Sequence, residues 1–389
     1  MEHIYIKNFG PIREAEIMDI RRVTVLIGAS GSGKSTIMKI ISLFRWIYKM
    51  MNIRSFLKYS GIRKSPFRFQ FINLLKNNGL YDYLQDDTVL IYEKGSLKLV
   101  WDSDTKKLHG TSSYVQKEEL SLEKISFISD KRGLLPDILD HNVVIKHNMY
   151  YLSETYSDFE IAAQEVKELN ILDLGVKFVS KKTSQGKRYS IEPTSDSDKY
   201  SIKLNEASSG TQNLVPISVI AEYYARHYDL VSSINKAIFT YVSRTDKLSD
   251  FKAVKDIGEF KNKNVHLLVE EPELSLFPSS QTHLVDYLVS IVNRNNQRDY
   301  DLSLMFATHS PYIVNHLNVL IRRYNMKVSN KAQIAIDDLG VYYINEGNLI
   351  NMVGKDPCTG ERFVDTYILS EEMESIYNEY TRLKNSNSY

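Results

Sequence analysis

The stretch that decides the fold is Gly28-Ala-Ser-Gly-Ser-Gly-Lys-Ser-Thr36, which fits the pattern G-x-x-x-x-G-K-[ST] at every position. Residues 23–27, apolar in all but one position, predict a buried strand before the loop, and residues 34–44 predict a helix after it. Glycines let successive backbone N–H groups turn inward around an anion, and the helix start adds the positive end of its dipole. The stretch therefore predicts a loop that holds the phosphates of a nucleotide.

Residues of this loop have predicted roles in binding ATP and Mg²⁺. Lys34 supplies a charge between the β- and γ-phosphates, and the Ser35 hydroxyl is a Mg²⁺ ligand. The candidate nucleotide-binding residues are Gly28, Ser30, Gly31, Ser32, Gly33, Lys34, Ser35 and Thr36. The alternative is a flexible Gly/Ser turn, but a strand before the loop and a helix after it favour the nucleotide site.

A second motif follows the predicted strand at residues 265–269, where Glu270-Glu271-Pro-Glu stands at the strand end. A carboxylate beside a phosphate loop can hold Mg²⁺, and a neighbouring carboxylate can orient and deprotonate the attacking water. We assign Glu270 to Mg²⁺ and Glu271 to the water. Without a phosphate loop upstream, the ordinary interpretation would be a solvated acidic turn.

Two further polar motifs stand at element ends. Residues 302–307 predict a strand that ends in Thr308-His309-Ser-Pro, and His309 is a candidate donor to the γ-phosphate or to the water. Ser208-Ser209-Gly210-Thr-Gln212 opens an apolar helix. Its N–H groups and Ser209 could bind a γ-phosphate, or a serine could simply cap the helix.

The order of these four motifs resembles that of the ABC-type ATPase head, in its SMC/RecF-like and OLD-like branch. The resemblance implies an α/β fold with a mixed sheet core, an antiparallel β subdomain and a helical lobe, closing as a head-to-head dimer. It implies that Ser209, Gly210 and Gln212 act in trans on the nucleotide of a second copy. It also implies Glu271 as the catalytic glutamate, His309 as the switch histidine, and residues 274–278 as the loop crossing the interface.

The sequence departs from the family pattern at several positions. Glu270 stands where Asp is commoner, Phe277 where His is frequent, and Thr211 where a second Gly is usual. No glutamine follows the predicted strand at residues 125–128, which leads instead into Ser129-Asp-Lys-Arg132. We predict Arg132 as a phosphate or sensor contact, with an ordinary surface arginine as the alternative.

The remaining elements predict three regions. Residues 1–150 would form a core lobe with an antiparallel meander at 88–115, residues 151–262 a helical lobe, and residues 263–389 the rest of the core. Within them we expect a helix at 153–170, hairpins at 175–205 and 333–352, and a final helix at 370–384 capped by Ser370. Residues 37–207 show no sustained heptads, so no long coiled coil is expected.

Charge is unevenly placed although the net charge is only +1. Residues 21–81 contain no Asp or Glu, and basic residues alternate with aromatic ones within 45–81. Cations could contact phosphates while rings stack on bases. The alternatives are an amphipathic helix pair with a buried aromatic face and docking to an acidic protein. The candidate nucleic-acid or partner residues are Arg54, Lys58, Arg63, Lys64 and Arg68.

Composition also excludes some classes. No apolar run reaches the length of a membrane span, the N-terminus does not resemble a secretory signal, and the single cysteine, Cys358, forms no intrachain disulfide. We expect a cytoplasmic protein without a membrane partner. Asp337-Asp338 lacks the spaced acidic set of a two-metal nuclease, so we expect the effector on another chain.

Three functions remain open from the sequence. The first is an ATPase that forms a homodimer, or a higher even-numbered homo-oligomer, and controls a separate nuclease or toxin. Such stand-alone heads resemble the ATPase subunits of Septu-like, retron-associated and PARIS-like phage-defence pairs. The second is a weakly hydrolysing, ATP-bound scaffold. The third is a RecF-like ATPase of DNA repair that binds DNA through the basic segment.

Overall fold

The computed structural model describes residues 1–59, 69–140, 143–145, 149–184, 186–195, 197–243, 260, 262–293 and 298–386. Their strands are, in chain order, β1 (Glu2–Phe9), β2 (Ile12–Ile17), β3 (Val23–Gly28), β4 (Leu84–Lys94), β5 (Leu97–Asp102), β6 (Lys107–Gly110), β7 (Ser121–Ile128), β8 (Glu168–Asn170), β9 (Val176–Thr183), β10 (Gly186–Pro193), β11 (Ile202–Lys203), β12 (Asn262–Glu270), β13 (Asp301–Thr308), β14 (Leu339–Asn345), β15 (Asn348–Asn351), β16 (Val353–Lys355) and β17 (Arg362–Val364).

The described helices alternate with these strands. They are α1 (Lys34–Tyr59), α2 (Phe71–Asn77), α3 (Leu135–Leu139), α4 (Tyr150–Glu165), α5 (Ser209–Arg226), α6 (Leu230–Ser243), α7 (Pro278–Asn293), α8 (Pro311–Asn325) and α9 (Tyr367–Ser386). Short 3₁₀ turns connect several elements, and the one that matters for the site is Asp130–Leu134, directly after β7.

One eleven-stranded sheet forms the centre of the described fold, in the order β6-β5-β4-β1-β2-β15-β14-β3-β13-β12-β7. β14, β3, β13, β12 and β7 pair in parallel, so their carboxyl ends lie along one edge. β1, β2, β4, β5 and β6 extend the sheet as antiparallel strands. The predicted α/β class with a mixed sheet and an antiparallel extension is confirmed.

The sequence patterns explain which strands are buried. Every residue of β3 is buried, as its continuous apolar run requires of a central parallel strand. α1 runs unbroken for 26 residues and packs on β7, β13 and β3. It is the longest helix among the described residues, and it covers the sheet instead of extending from it as a coiled coil.

Strands from residues 1–150 and from residues 263–389 share this sheet, so the two ends of the chain build one body around β3. The residues between them form α4, α5 and α6 together with a four-stranded sheet, in the order β11-β10-β9-β8. The predicted meander and both hairpins are present. In the late hairpin Glu346 and Gly347 turn the chain with φ of +48° and +80°.

Two predicted boundaries are wrong. The helix expected at 153–170 ends at Glu165, because residues 168–170 pair with residues 177–179 of β9 and sheet pairing outweighs local helix propensity. Ser370 is not an N-cap. The final helix begins at Tyr367, whose N–H donates to Oδ1 of Asp365 at 3.0 Å, and the Ser370 hydroxyl donates to the Thr366 carbonyl inside the helix.

Candidate ATP site

The loop between β3 and α1 has the backbone shape of an anion site. Gly31 and Gly33 have φ of +77° and +108°, the left-handed region that favours glycine. A Cβ on Gly33 would lie 2.2 Å from Cδ1 of Ile12, so a side chain does not fit there. The Ser32 hydroxyl is buried and has no hydrogen-bond partner in the described structure. A bound phosphate would supply that partner, so these residues fit the nucleotide.

Lys34 folds back against this loop. Its Nζ donates to the carbonyls of Gly28 and Ala29, both at 2.8 Å, and lies 3.3 Å from Nδ1 of His309. Burial lowers the pKa of Lys34 to about 8, against the attraction of Glu271 and Glu273. A protonated Lys34 requires an acceptor at Nδ1, and this hydrogen-bond network therefore assigns the ring proton of His309 to Nε2.

Glu270 ends β12 with its side chain buried. Its carboxylate accepts the Ser35 hydroxyl, forms an ion pair with Nζ of Lys39 at 3.2 Å, and accepts the N–H of Asp130 at 3.3 Å. Burial raises the pKa of Glu270, and Lys39 opposes that shift.

Glu270 and Ser35 bring one carboxylate and one hydroxyl together, which fits Mg²⁺, a cation that takes one or two carboxylates and completes its shell with phosphate and water. No cluster of three or more His, Cys, Asp or Glu suited to a metal occurs in the described part of the chain. The pair fits a metal that arrives with the nucleotide, because phosphate and water would complete its shell.

Glu271 directly follows β12 in a left-handed conformation, with φ of +43°. Its N–H donates to the Ala307 carbonyl at 2.8 Å, which ties this turn to the neighbouring strand β13. Its Oε1 lies 3.3 Å from Nε2 of His309, and both side chains are about one-third exposed. Lys34, His309 and Glu271 thus form one line of polar contacts, and water can reach its Glu271 end.

Two residues at this site were not predicted. Lys39 pairs with Glu270, and its position one helical turn after Ser35 was the available signal. Glu273 accepts the backbone N–H of His309 with Oε1, while its Oε2 is buried without a partner in the described structure. The only sequence signal for Glu273 was its place in the acidic run that contains Glu270 and Glu271.

At the start of α5, Ser208 caps the helix and Ser209 is exposed. The Ser208 side chain caps the helix by accepting the N–H of Thr211 at 3.4 Å, and the two hydroxyls lie 2.9 Å apart. Thr211, the departure from the family pattern, is thus used in the cap. Because capping falls to Ser208, Ser209 stays exposed at the first helical position, where backbone N–H groups lack helical partners.

Gly210 and Gln212 contact their own chain. A Cβ on Gly210 would lie 2.9 Å from the Ser275 carbonyl, so the helix start packs closely on the loop at residues 274–278. In the same loop Phe277 is 75% exposed. The Gln212 amide donates to the carbonyls of Asn205 at 2.8 Å and Ala207 at 2.9 Å. Gln212 therefore braces the segment before the helix and has no donor left for a phosphate.

Arg132 is neither a phosphate contact nor a surface arginine. Its side chain has no solvent exposure, and all of its hydrogen bonds go to backbone carbonyls. The prediction of a phosphate or sensor contact does not fit this geometry, because the side chain is fully buried and four of its five N–H donors are bound to carbonyls of the protein.

Comparison with known families decides the identity of the fold. The model of the AAA ATPase domain family matches residues 1–53 and 73–314, which is well over half of the chain. The chain belongs to the AAA ATPase domain family. It is a P-loop ATPase, as the sequence predicted. A search of curated proteins found no match to it.

Solved structures are similar to this AAA ATPase at low identity. The SMC head domain from Thermotoga maritima is 13% identical, with a TM-score of 0.37 over 90% of this chain and 97% of that one. A Smc head with an extended coiled coil, bound to the C-terminal domain of ScpA derived from Pyrococcus furiosus, is 12% identical, with a TM-score of 0.37 over 98% and 100%. A nucleotide-free cassette from an ABC transporter is 12% identical, with a TM-score of 0.32 over 90% of each chain.

The basic segment of this AAA ATPase uses its rings inside the protein. Phe44 stacks on Tyr92 with centroids 5.2 Å apart, and Tyr48 and Phe56 are buried. Arg45 is buried as well, which leaves neither these rings nor this cation available to a nucleic acid. The described part of the segment thus matches the amphipathic alternative.

The named cations of that segment divide into two groups. Arg54 and Lys58 lie over the ring of Tyr114, at 5.1 Å and 3.5 Å from its centroid. Arg63, Lys64 and Arg68 lie outside the described residues. The described part of this AAA ATPase contains no helix with the length and apolarity of a membrane span.

Proposed function

We propose that this protein is a Mg²⁺-dependent ATPase that closes with a second copy around ATP and reopens after hydrolysis. We propose further that this cycle controls a separate effector protein, a nuclease or toxin, in bacterial defence against phage. The observation that carries the ATPase cycle is the line of contacts Lys34–His309–Glu271, which joins the phosphate loop to a solvent-accessible carboxylate.

In this proposal the residues of the loop bind first. Lys34 exchanges the carbonyls of Gly28 and Ala29 for phosphate oxygens, which are charged and therefore stronger acceptors. Ser32 and the loop N–H groups gain the acceptor that they lack. Ser35 and Glu270 hold Mg²⁺, which neutralises the charge that develops on the phosphates during transfer.

Hydrolysis then requires one proton transfer. Glu271 orients a water and accepts its proton as the water oxygen bonds to the γ-phosphorus and the bond to the β–γ bridging oxygen breaks. Nε2 of His309 lies 3.3 Å from Oε1 of Glu271, and it is placed to donate a hydrogen bond to the γ-phosphate when ATP separates the two side chains. The products are ADP and inorganic phosphate.

Closure with a second copy is supported by what is exposed beside the loop at residues 274–278. Ser209 stands uncapped and exposed at the start of α5, and Phe277 exposes most of its ring in the adjacent loop. A helix start offers N–H donors to an anion, and an exposed aromatic ring favours burial at an interface. We assign Ser209 and Gly210 to the γ-phosphate held by the other copy, and not Gln212.

The decisive experiment changes Glu271 to Gln. Turnover should fall by about 10²–10⁴-fold, because the general base is lost, while ATP binding remains. With ATP and Mg²⁺ the variant should run as a dimer in size-exclusion chromatography with light scattering. Glu374→Gln, the same chemical change on the exposed helix α9, is the matched control and should behave as wild type. A monomer with ATP, or normal turnover, would refute the assignment.

The interface is tested by the double variant Glu271→Gln with Ser209→Glu. A carboxylate at the helix start would face the phosphate of the other copy, so the ATP-dependent dimer should disappear while each copy still binds ATP. Persistence of the dimer would show that the copies meet through another surface.

Effector control is tested with the product of the adjacent gene. If closure is the signal, Glu271→Gln with ATP should hold that protein in one activity state, and the nucleotide-free wild type should hold it in the other. Equal activity in both conditions would leave an ATPase without this control function.

A further inference from the structure

Arg132 is a buried cation whose guanidinium needs several hydrogen-bond acceptors inside the protein. It lies in the 3₁₀ turn Asp130–Leu134, which begins where β7 ends, and its side chain has no solvent exposure. A guanidinium stays protonated in proteins and offers five N–H donors, so a buried one must find several acceptors. No carboxylate lies within ion-pair distance of Arg132 in the described part of the chain.

Backbone carbonyls from separate elements supply those acceptors. Nη1 donates to the Glu270 carbonyl and Nη2 to the Glu271 carbonyl, each at 2.6 Å. Nε donates to the Asn213 carbonyl of α5 at 3.0 Å, and Nη1 also reaches the Ser129 carbonyl at 3.2 Å. One planar fork therefore joins the turn after β12 to helix α5.

From Asn213 the connection continues to the start of α5. The Asn213 side chain donates from Nδ2 to the Ser209 carbonyl at 2.9 Å. It also packs on the turn that carries Arg132, because a Cβ on Gly133 would lie 3.1 Å from Asn213 Oδ1. A continuous path of hydrogen bonds thus runs from Glu271 through Arg132 and Asn213 to Ser209.

The Glu271 end of this path is a strained position. Glutamate seldom adopts a φ of +43°, and such a conformation persists only where its surroundings hold it. The Glu271 N–H is held by Ala307, and its carbonyl is held by Arg132. The direction of this carbonyl sets the turn from which the Glu271 side chain reaches His309.

We infer that Arg132 is a positioning residue that fixes Glu271 from helix α5, so that docking of Ser209 on the nucleotide of a second copy sets the geometry of the base. The role rests on the proposed function, since it requires Glu271 as the base and Ser209 at an interface. Arg132 itself touches no substrate.

The test replaces Arg132 with Lys. An ammonium keeps the positive charge but is a point donor, and it cannot span the carbonyls of Glu271 and Asn213 together. We expect turnover per folded molecule to fall by about 10–100-fold while the Kd for ATP changes by less than about threefold, because a misplaced base costs rate and not binding. Asn213→Ala removes the bond to the Ser209 carbonyl and the packing on Gly133 but keeps the backbone carbonyl that Arg132 binds, and it should give a smaller loss of turnover.

A double-mutant cycle separates positioning from plain structural support. Arg132→Lys and Ser209→Ala are measured singly and together. If the path couples the two ends, the combined loss of turnover is clearly smaller than the product of the single losses. Losses that multiply would overturn the inference. So would normal turnover of Arg132→Lys, or a loss of turnover matched by an equal loss of ATP binding and of folded protein.

Failure of the proposed function gives a different result. If wild-type protein hydrolyses ATP without dimerising and Ser209→Ala has no effect, the closure proposal fails whatever Arg132→Lys does. If wild type and Glu271→Gln behave as proposed and only the cycle is additive, the inference about Arg132 fails alone.

Discussion

The two ends of the parallel strands differ in whether their buried polar and charged groups have hydrogen-bond partners. At the carboxyl ends some buried polar atoms lack partners, since the Ser32 hydroxyl and Glu273 Oε2 have none in the described structure. At the amino ends a set of buried charged and polar groups is paired within the described structure. That second set, the amino-end cluster, consists of Glu2, Arg45, Tyr92, Lys94, Glu123 and His266.

The amino-end cluster is built from short contacts. Arg45 donates to both carboxylate oxygens of Glu2, at 2.8 Å and 3.0 Å, and the Tyr92 hydroxyl adds a third bond to Glu2 at 2.9 Å. Lys94 donates to Glu123 at 3.0 Å, and Nε2 of His266 lies 2.8 Å from the same carboxylate. These partners outweigh burial and lower the pKa of Glu123 to about 2.

Shifted pKa values occur at both ends of the parallel strands. Both clusters contain strongly perturbed groups, since burial lowers the pKa of His266 to about 4 and that of Lys34 to about 8. Perturbation alone therefore does not mark a functional site, because structural ion pairs cause it too. Unsatisfied polar atoms and solvent access distinguish the carboxyl-end site.

The largest expected effect tests this contrast directly with Arg45→Met. The change leaves the buried Glu2 carboxylate without its partner, and the free energy of unfolding should fall by about 3–5 kcal/mol. Urea unfolding followed by circular dichroism measures it. The ATP affinity of the folded fraction should stay as in wild type, because the cluster lies at the far end of the strands.

Lys34→Met is the matched control, since it also replaces a buried cation with an apolar chain. It should change the free energy of unfolding by less than about 1 kcal/mol, because removing a desolvated charge offsets the lost hydrogen bonds. ATP binding should be lost. Equal destabilisation by both variants would break the distinction between the two ends. Adding Glu2→Gln to Arg45→Met should restore part of the stability.

A smaller effect should appear when pH is raised. ATP needs the charged form of Lys34, and this form is lost as pH rises through about 8. On this account the Kd for ATP should rise about tenfold between pH 7 and pH 9. Isothermal titration calorimetry measures it. A flat Kd over this range would mean that Lys34 keeps an ordinary pKa in the free protein.

Stability should move in the other direction over a neighbouring range. Folding lowers the pKa of Lys34 from 10.5 to about 8, so the unfolded chain binds more protons between these values. The charged lysine therefore opposes folding below about pH 8, and this cost disappears as pH rises toward 10.5. Weaker ATP binding at pH 9 would thus not be a sign of an unfolding protein.

The smallest effect concerns charges that belong to neither end. Arg54→Gln with Lys58→Gln removes two cations from the ring of Tyr114 and should cost less than about 1 kcal/mol of stability. It should leave any DNA binding unchanged, because these cations already cover a ring of the protein. Salt-dependent DNA binding that fell with this pair would revive the RecF-like alternative; a fall with Arg63, Lys64 and Arg68 alone would locate it outside the described residues.

Sequence could predict the carboxyl-end site because its parts are local. Residues 28–36, 270–271 and 308–309 each combine an apolar run with polar residues at its end, and carboxyl ends of parallel strands meet at one edge of a sheet. The same pattern predicted β3, β12 and β13, which the structure confirms. The Lys34–His309 contact joins residues 275 positions apart, but each of the two residues can be identified from its own local motif.

The amino-end cluster and the Arg132 path gave no such signal. Glu2, Arg45 and Glu123 stand in ordinary surroundings in the sequence, and only the order of the strands and the packing of α1 on the sheet bring them together. Arg132 binds carbonyls, which every residue possesses, so no side-chain pattern could identify its partners. Ser370 is the opposite case, because its sequence context predicted a helix cap that the structure does not contain. The N–H at the start of the helix is bound by Asp365, five residues earlier.

The strand order has a consequence for how the protein is made. β3 lies between β13 and β14, which the ribosome synthesises long after the phosphate loop has left it. Throughout that time a strand that is apolar at every position but Thr24 lacks both of its neighbours in the sheet, a condition in which nascent chains recruit chaperones. ATP cannot assist the early stages of folding, since Glu270, Glu271 and His309 of its site emerge only with β12 and β13. Translation that stops before residue 345 should therefore yield an insoluble product, however intact its phosphate loop.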